Sequence, residues 1–60
     1  MSMSNAEHIE EILFEASAYG IRLEVMQLAS KLREDDNTIS KLDSFQIAYT
    51  QITQALEGDE

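Results

Sequence analysis

One histidine and two glutamates in the first third of the chain have the types and spacing of a metal site. At 100° per residue, His8, Glu11 and Glu15 fall within about 60° of one another on a helix, so they offer three ligands to one divalent ion. A single helix lacks the second carboxylate pair that dinuclear sites in bundles use, so a symmetry mate would have to complete the site. The alternative interpretation, a solvated face opposite the core, requires no partner, and we favour it.

No other motif indicates catalysis. The stretch Glu34 to Gln46 is acidic, but as a calcium loop it lacks a glycine at the sixth position and a glutamate at the twelfth. The sequence has no glycine-rich phosphate loop, nucleophile elbow or H-E-x-x-H motif, and the absence of cysteine excludes thiolate zinc sites and disulfides. We therefore predict that the protein is not an enzyme and uses no cofactor. A metal-dependent enzyme assembled across a dimer is kept as a distant alternative.

Length and charge restrict the possible partners. A chain of 60 residues forms one small domain, which we place at residues 1–60, and a core of this size needs support from oligomerisation or partner binding. With Lys+Arg 4 against Asp+Glu 12, the net charge of -8 argues against binding to nucleic acid. No apolar run has the length of a signal peptide or membrane span, so we expect no membrane association and a cytoplasmic protein. We expect a homodimer and a possible further protein partner.

The composition predicts an all-α fold. Proline is absent and glycine occurs only at Gly20 and Gly58, whereas strong helix formers are plentiful. Apolar residues spaced at three and four predict helices at about 5–19, 21–33 and 44–57, with flexible ends. The predicted inward stripes are Ile9, Ile12, Leu13, Ala16 and Tyr19 in the first helix, Ile21, Val25, Leu28, Ala29 and Leu32 in the second, and Phe45, Ala48, Tyr49, Ile52, Ala55 and Leu56 in the third. The expected architecture is a short αα-hairpin plus a third helix, a small three-helix bundle that we expect to be dimeric.

Three local signals set the predicted helix ends. Ser4 and Glu7 have the spacing of a capping box at the first helix. Gly20 can take the left-handed conformation that ends a helix, so we predict a sharp turn there, although an unbroken helix through this glycine is an open alternative. The polar stretch 34–38 predicts a loop, after which Asp43 is the predicted N-cap of the third helix and Leu42 would pack onto Ile47.

Four residues lie on the surface of the predicted hairpin outside its inward stripes. We interpret Phe14, Ala18, Leu23 and Met26 as a dimer or partner interface, because an apolar patch of this kind is unusual on a monomer and methionine adapts its shape to a partner. A wider core that the third helix reaches is the alternative.

The leading functional hypothesis is a non-catalytic protein–protein interaction module or small regulator of a phage or bacterial type, which docks an apolar helical face onto another protein. A second hypothesis is an acidic nucleic-acid mimic that inhibits a DNA-binding protein through carboxylates of the first helix and of Glu34 to Asp36.

The hairpin also carries a local resemblance. The segments Phe14-Glu15-Ala16-Ser17, Gly20-Ile21 and Glu24-Val25-Met26-Gln27-Leu28 resemble the αα-hairpin of the sporulation-checkpoint histidine-kinase inhibitors. Tyr19-Gly20-Ile21 and Glu24-Val25 are also similar to the hairpin of the small sporulation aspartyl-phosphate phosphatases. That family has a Ser-Gln-x-Leu-Asp signature where this chain has Ser30-Lys31-Leu32-Arg33, so phosphatase activity is not implied. The resemblance covers about 20 residues of the hairpin, and we assign the chain to no family on this basis.

Overall fold

The chain folds as three α-helices packed together. The computed structural model describes residues 2–58, in which α1 spans Asn5–Ala18, α2 spans Arg22–Asp35 and α3 spans Lys41–Glu57, and this part of the chain contains no strand. The prediction of an all-α fold is confirmed. The flexible ends predicted at residues 1–3 and 57–60 include residues 1, 59 and 60, which lie outside the described residues. Within residues 2–58, none of the helices combines the length and the apolar character needed to cross a membrane.

The predicted capping box at the start of α1 is confirmed. The backbone N–H of Glu7 donates to the Ser4 hydroxyl at 3.2 Å, and the backbone N–H of Ser4 donates to the Glu7 carboxylate at 2.8 Å. Hydrogen bonding from Ser4 to the Glu7 carboxylate, first from the backbone N–H and then from the side chain, lowers the pKa of Glu7 because it favours the charged form. The first turn of α1 is thus fixed by groups next to it in sequence.

The predicted break at Gly20 is also confirmed. Gly20 has φ 74°, and the two hydrogen bonds of a Schellman motif surround it: its own N–H donates to the carbonyl of Ser17 at 3.0 Å, and the N–H of Ile21 donates to that of Ala16 at 2.8 Å. Ile21 and Ala16 are both buried, which supplies the apolar contact of this motif. Ile21 is at the same time the N-cap residue of α2, so only residues 19–21 separate the two helices.

The loop after α2 begins later than predicted. The helix continues through Glu34 to Asp35, and Asp36 becomes its C-cap. The Asp36 carboxylate accepts hydrogen bonds from the Thr38 hydroxyl at 2.5 Å and from the Thr38 backbone N–H at 3.0 Å, and these two bonds, in that order, lower the pKa of Asp36. The turn therefore occupies residues 36–40.

The predicted start of α3 at Ser44 is wrong. The N-cap is Ser40, whose hydroxyl accepts from the backbone N–H of Asp43 at 3.0 Å, and the helix begins at Lys41. Serine and aspartate are similarly good N-caps, so the sequence offers two starts. The earlier one adds a turn of helix, places the Asp43 charge in that first turn and half-buries Leu42. Leu42 is thus a helical residue, and it does not precede the helix as the predicted contact with Ile47 requires.

Replacement of each candidate N-cap by alanine should show which residue caps α3. We expect Ser40→Ala to lower the free energy of unfolding by about 1 kcal/mol, because it removes the side-chain acceptor of the first turn. Asp43→Ala should cost clearly less, since Asp43 contributes a charge near the helix N-terminus and alanine is the better helix former. Urea denaturation of both variants measures the difference, with Ser2→Ala as a control outside the helices. A larger cost for Asp43→Ala would contradict the observed start.

The core is built largely from small side chains. Its buried apolar residues are Ala16, Ile21, Val25, Ala29, Phe45 and Ala48. Around them pack the half-buried residues Ile9, Ile12, Leu13, Met26, Leu28, Leu32, Tyr49 and Ile52. Ser44 is also fully buried, and its hydroxyl donates to the carbonyl of Lys41 at 2.6 Å, so no buried polar side-chain atom in the described part of the chain lacks a partner.

Three residues predicted for the core lie outside it. Tyr19 is 65% exposed and Leu56 is 55% exposed, and Ala55 is exposed as well. Tyr19 is the C-cap residue of α1, where the chain already leaves the helix, and the other two lie in the last turn of α3. The apolar 3.6-residue pattern of the sequence thus extends beyond the part of α1 and α3 that packs against another helix.

The helix that holds the bundle together is α3. Its contact with α2 is the most extensive, its contact with α1 is the next, and α1 and α2 touch each other least. The short turn at Gly20 therefore connects two helices that share a core mainly through α3. The molecule is flattened, with Cα extents of 37 × 30 × 16 Å.

Candidate protein interface

Two large apolar side chains of the hairpin helices lie largely outside the core. Phe14 is 76% exposed and Leu23 is 63% exposed. Phe14 lies one helical turn before Ala18, also exposed, and both point away from the buried Ala16 because they are two residues from it on either side. The outer side of α1 thus carries an aromatic ring that contributes nothing to the core.

Leu23 and Met26 lie together on α2. They line a shallow groove of about 560 Å³ on the outer side of this helix. The rest of its lining is polar and consists of Gln27, Ser30, Lys31, Glu34 and Asp35. Met26 is half-buried and also packs against the core, so the alternative of a wider core applies to Met26 but not to Leu23. The structure therefore pairs Leu23 with Met26 on α2, whereas Phe14 and Ala18 lie on α1 and line no part of that groove.

A further groove between α2 and α3 was not expected from the sequence. This basic groove has a volume of about 250 Å³ and is lined by Met26, Ala29, Ser30, Arg33, Lys41, Ser44 and Phe45. It contains two cations and no carboxylate. The prediction placed Lys41 before the start of the third helix, so no sequence signal indicated that it shares a surface with Arg33.

The charges are divided unevenly among the helices. α1 contains Glu7, Glu10, Glu11 and Glu15 and no lysine or arginine. The cations are concentrated elsewhere, since Arg22, Lys31 and Arg33 belong to α2 and Lys41 begins α3. The net charge of -8 is therefore unevenly distributed: α1 is acidic, and the lysine and arginine side chains lie on α2 and at the start of α3.

The three candidate metal ligands do share a surface. His8, Glu11 and Glu15 line a groove of about 380 Å³ between α1 and α3, together with Ile12, Gln46, Tyr49 and Thr50. Between residues 2 and 58, however, no three or more histidine, cysteine, aspartate or glutamate side chains are close enough to hold a metal ion. Glu15 instead accepts a hydrogen bond from the Tyr49 hydroxyl at 3.1 Å. In this geometry the groove joins α1 to α3 and presents no ready-made site for a cation.

The bond between Tyr49 and Glu15 has a pH consequence. Burial, followed by the hydrogen bond to the Glu15 carboxylate, raises the pKa of Tyr49 above 10.0. Above the pKa of an unfolded tyrosine the folded state then binds more protons, so its stability falls as pH rises through the folded pKa, whereas below that range the contribution is fully present. We expect Tyr49→Phe to abolish this part of the loss of stability at alkaline pH.

Urea denaturation across the alkaline range measures the effect. Tyr19→Phe is the matched control. It leaves the bond between Tyr49 and Glu15 in place and should keep most of the loss of stability, because the charge of Tyr19 raises the pKa of Tyr49 less than burial and that bond do. The same alkaline profile in Tyr49→Phe and the unmodified chain would contradict the assignment.

Comparison with known proteins gives no relative. No protein-family model matches the chain, and no curated protein and no solved structure matches it.

Proposed function

We propose that the chain is a non-catalytic protein–protein interaction module, a small regulator that binds another protein through Phe14, Ala18, Leu23 and Met26. The observation that supports this proposal best is the 76% exposure of Phe14 on a helix whose Ala16 is fully buried. Large aromatic side chains are the usual anchors of protein interfaces, and exposure of one in water is unfavourable. The cytoplasmic, bacterial or phage-type setting belongs to the same proposal.

The half-buried Met26 adds a second property. Its unbranched side chain belongs partly to the core and partly to the groove with Leu23, so it can change rotamer when a partner arrives. In a module of this kind, the Phe14 ring would supply the main apolar contact with the partner, and the Met26 side chain would adjust its conformation to the partner's surface.

The test is an affinity purification with a matched control. We expect Phe14→Ser to lose the partner proteins that the unmodified chain retains, whereas Leu56→Ser should keep them, because Leu56 is similarly apolar and 55% exposed but lies at the end of α3. Binding of each retained protein is then measured with purified components, and circular dichroism verifies that both variants are folded. If Phe14→Ser retains every partner, the proposal is overturned.

A second function is favoured by the charge of α1. Four exposed glutamates without a lysine or arginine give this helix the character of a nucleic-acid mimic, which would occupy a basic groove on a DNA-binding protein. Glu34 and Asp35 belong to the end of α2 instead of a loop, and their side chains are exposed like the glutamates of α1. Binding that weakens steeply with added salt and is insensitive to Phe14→Ser would favour the mimic over apolar docking.

A further inference from the structure

The basic groove is exceptional on a chain with a net charge of -8, because it joins Arg33 and Lys41 without a carboxylate. Its buried lining is mostly apolar: Phe45 is 9% exposed, Ala29 is 2% exposed, and Met26 is half-buried. The hydroxyl of the fully buried Ser44 is already bonded to the carbonyl of Lys41. A groove with an apolar floor and basic edges is complementary to an apolar side chain that carboxylates accompany.

The outer side of α1 has this combination. Phe14 is preceded by Glu10 and Glu11, four and three residues earlier, and these spacings put side chains next to each other on a helix. No cation lies on α1 to oppose their approach to a basic surface. Phe14 does not line the basic groove of its own chain, so the ring that fits there would have to come from a different molecule.

We propose that the basic groove binds α1 of a second copy of this chain. Phe14 of one copy covers Met26 and Phe45 of the other, while Glu11 lies close to Lys41. This inference rests on the proposed function, and it adds the identity of one partner and the surface that receives Phe14. Charge complementarity selects the second copy, since α1 supplies the carboxylates that the groove lacks.

A charge exchange tests the pairing. Lys41→Glu should raise the dissociation constant of the dimer about tenfold, because it replaces an attraction by a repulsion at each contact. The fold should tolerate this change, since Lys41 is the first residue of α3 and a carboxylate is favourable at a helix N-terminus. Glu11→Lys should have a similar effect, and an equimolar mixture of the two variants should recover the affinity of the unmodified chain.

Matched variants control for net charge. Arg22→Glu changes the charge by the same amount as Lys41→Glu. Arg22 is the first residue of α2 and lines neither the basic groove nor the groove of Leu23 and Met26, so we expect the dissociation constant to change little. Sedimentation equilibrium over a range of concentrations gives the dissociation constants, and circular dichroism verifies each fold. If Glu11→Lys unfolds, Glu11→Gln replaces it, and the comparison of Lys41→Glu with Arg22→Glu still decides the outcome.

The outcomes separate this inference from the proposed function. A chain that is monomeric at every concentration up to its solubility limit overturns the inference and leaves binding to a different protein open to its own test. A dimer that Phe14→Ser weakens, but that responds equally to Lys41→Glu and Arg22→Glu, overturns the position of α1 in the basic groove. A dimer whose dissociation constant is unchanged by Phe14→Ser shows that Phe14 is not part of the dimer interface, and this contradicts the inference.

Discussion

A chain that ends at residue 39, before α3, is expected to lose nearly all its helical structure. α1 and α2 are 14 residues each, a length at which isolated helices are marginal in water even for favourable sequences. The two helices have the least extensive contact of the three pairs, and α3 supplies Phe45 and Ala48 to the core. Without α3 the Schellman turn at Gly20 has little apolar surface to hold together.

Circular dichroism of this fragment, compared with the full chain, measures the loss. Addition of a second peptide, residues 40–60, should restore helix in a concentration-dependent manner, because the contacts of α3 do not require a covalent connection. A fragment that melts cooperatively without α3 would show that the hairpin is an independent unit, contrary to the packing observed.

Replacement of Gly20 by the two mirror forms of alanine is expected to change stability in opposite directions. With φ 74°, the L-residue in Gly20→Ala should cost about 1–2 kcal/mol, because its Cβ approaches the following carbonyl. A Cβ built at this position meets no atom within 4 Å, so the cost is one of backbone conformation alone. A D-alanine at the same position prefers positive φ and should stabilise the fold by about 0.4–1 kcal/mol, since it restricts the unfolded chain.

The chain is short enough for chemical synthesis, and urea denaturation of the two forms gives the difference directly. D-alanine in place of Ala55, an exposed residue within α3, is the control and should destabilise, because the right-handed helix disfavours it. If both forms at position 20 destabilise equally, a steric contact and not the backbone conformation determines the requirement for glycine.

Features determined by neighbouring residues were predictable from the sequence. The capping box at Ser4 and the helix break at Gly20 each depend on groups within a few positions, and both are present. The start of α3 was predicted incorrectly because Ser40 and Asp43 satisfy the same local rule. The contacts of the complete fold, including the burial of Ser44, determine which start is used.

The candidate interface was predictable only in part. The helical period correctly indicated that Phe14 and Leu23 lie outside the core, because each is far from its inward stripe. The same period could not indicate that Met26 is shared with the core or that Arg33 and Lys41 meet. Those contacts depend on how α3 lies against α2, which no local pattern specifies.

The central position of α3 has a kinetic consequence. The bond from Tyr49 to Glu15 joins residues 34 positions apart, and α1 is the helix with the least extensive packing, so α2 and α3 are expected to associate first and α1 to dock late. Substitutions in α1 should then act mainly on the unfolding rate, and α1 should show the weakest protection against hydrogen exchange. Because α1 carries Phe14, a partner that covers this residue would slow the local opening of the helix most prone to detach.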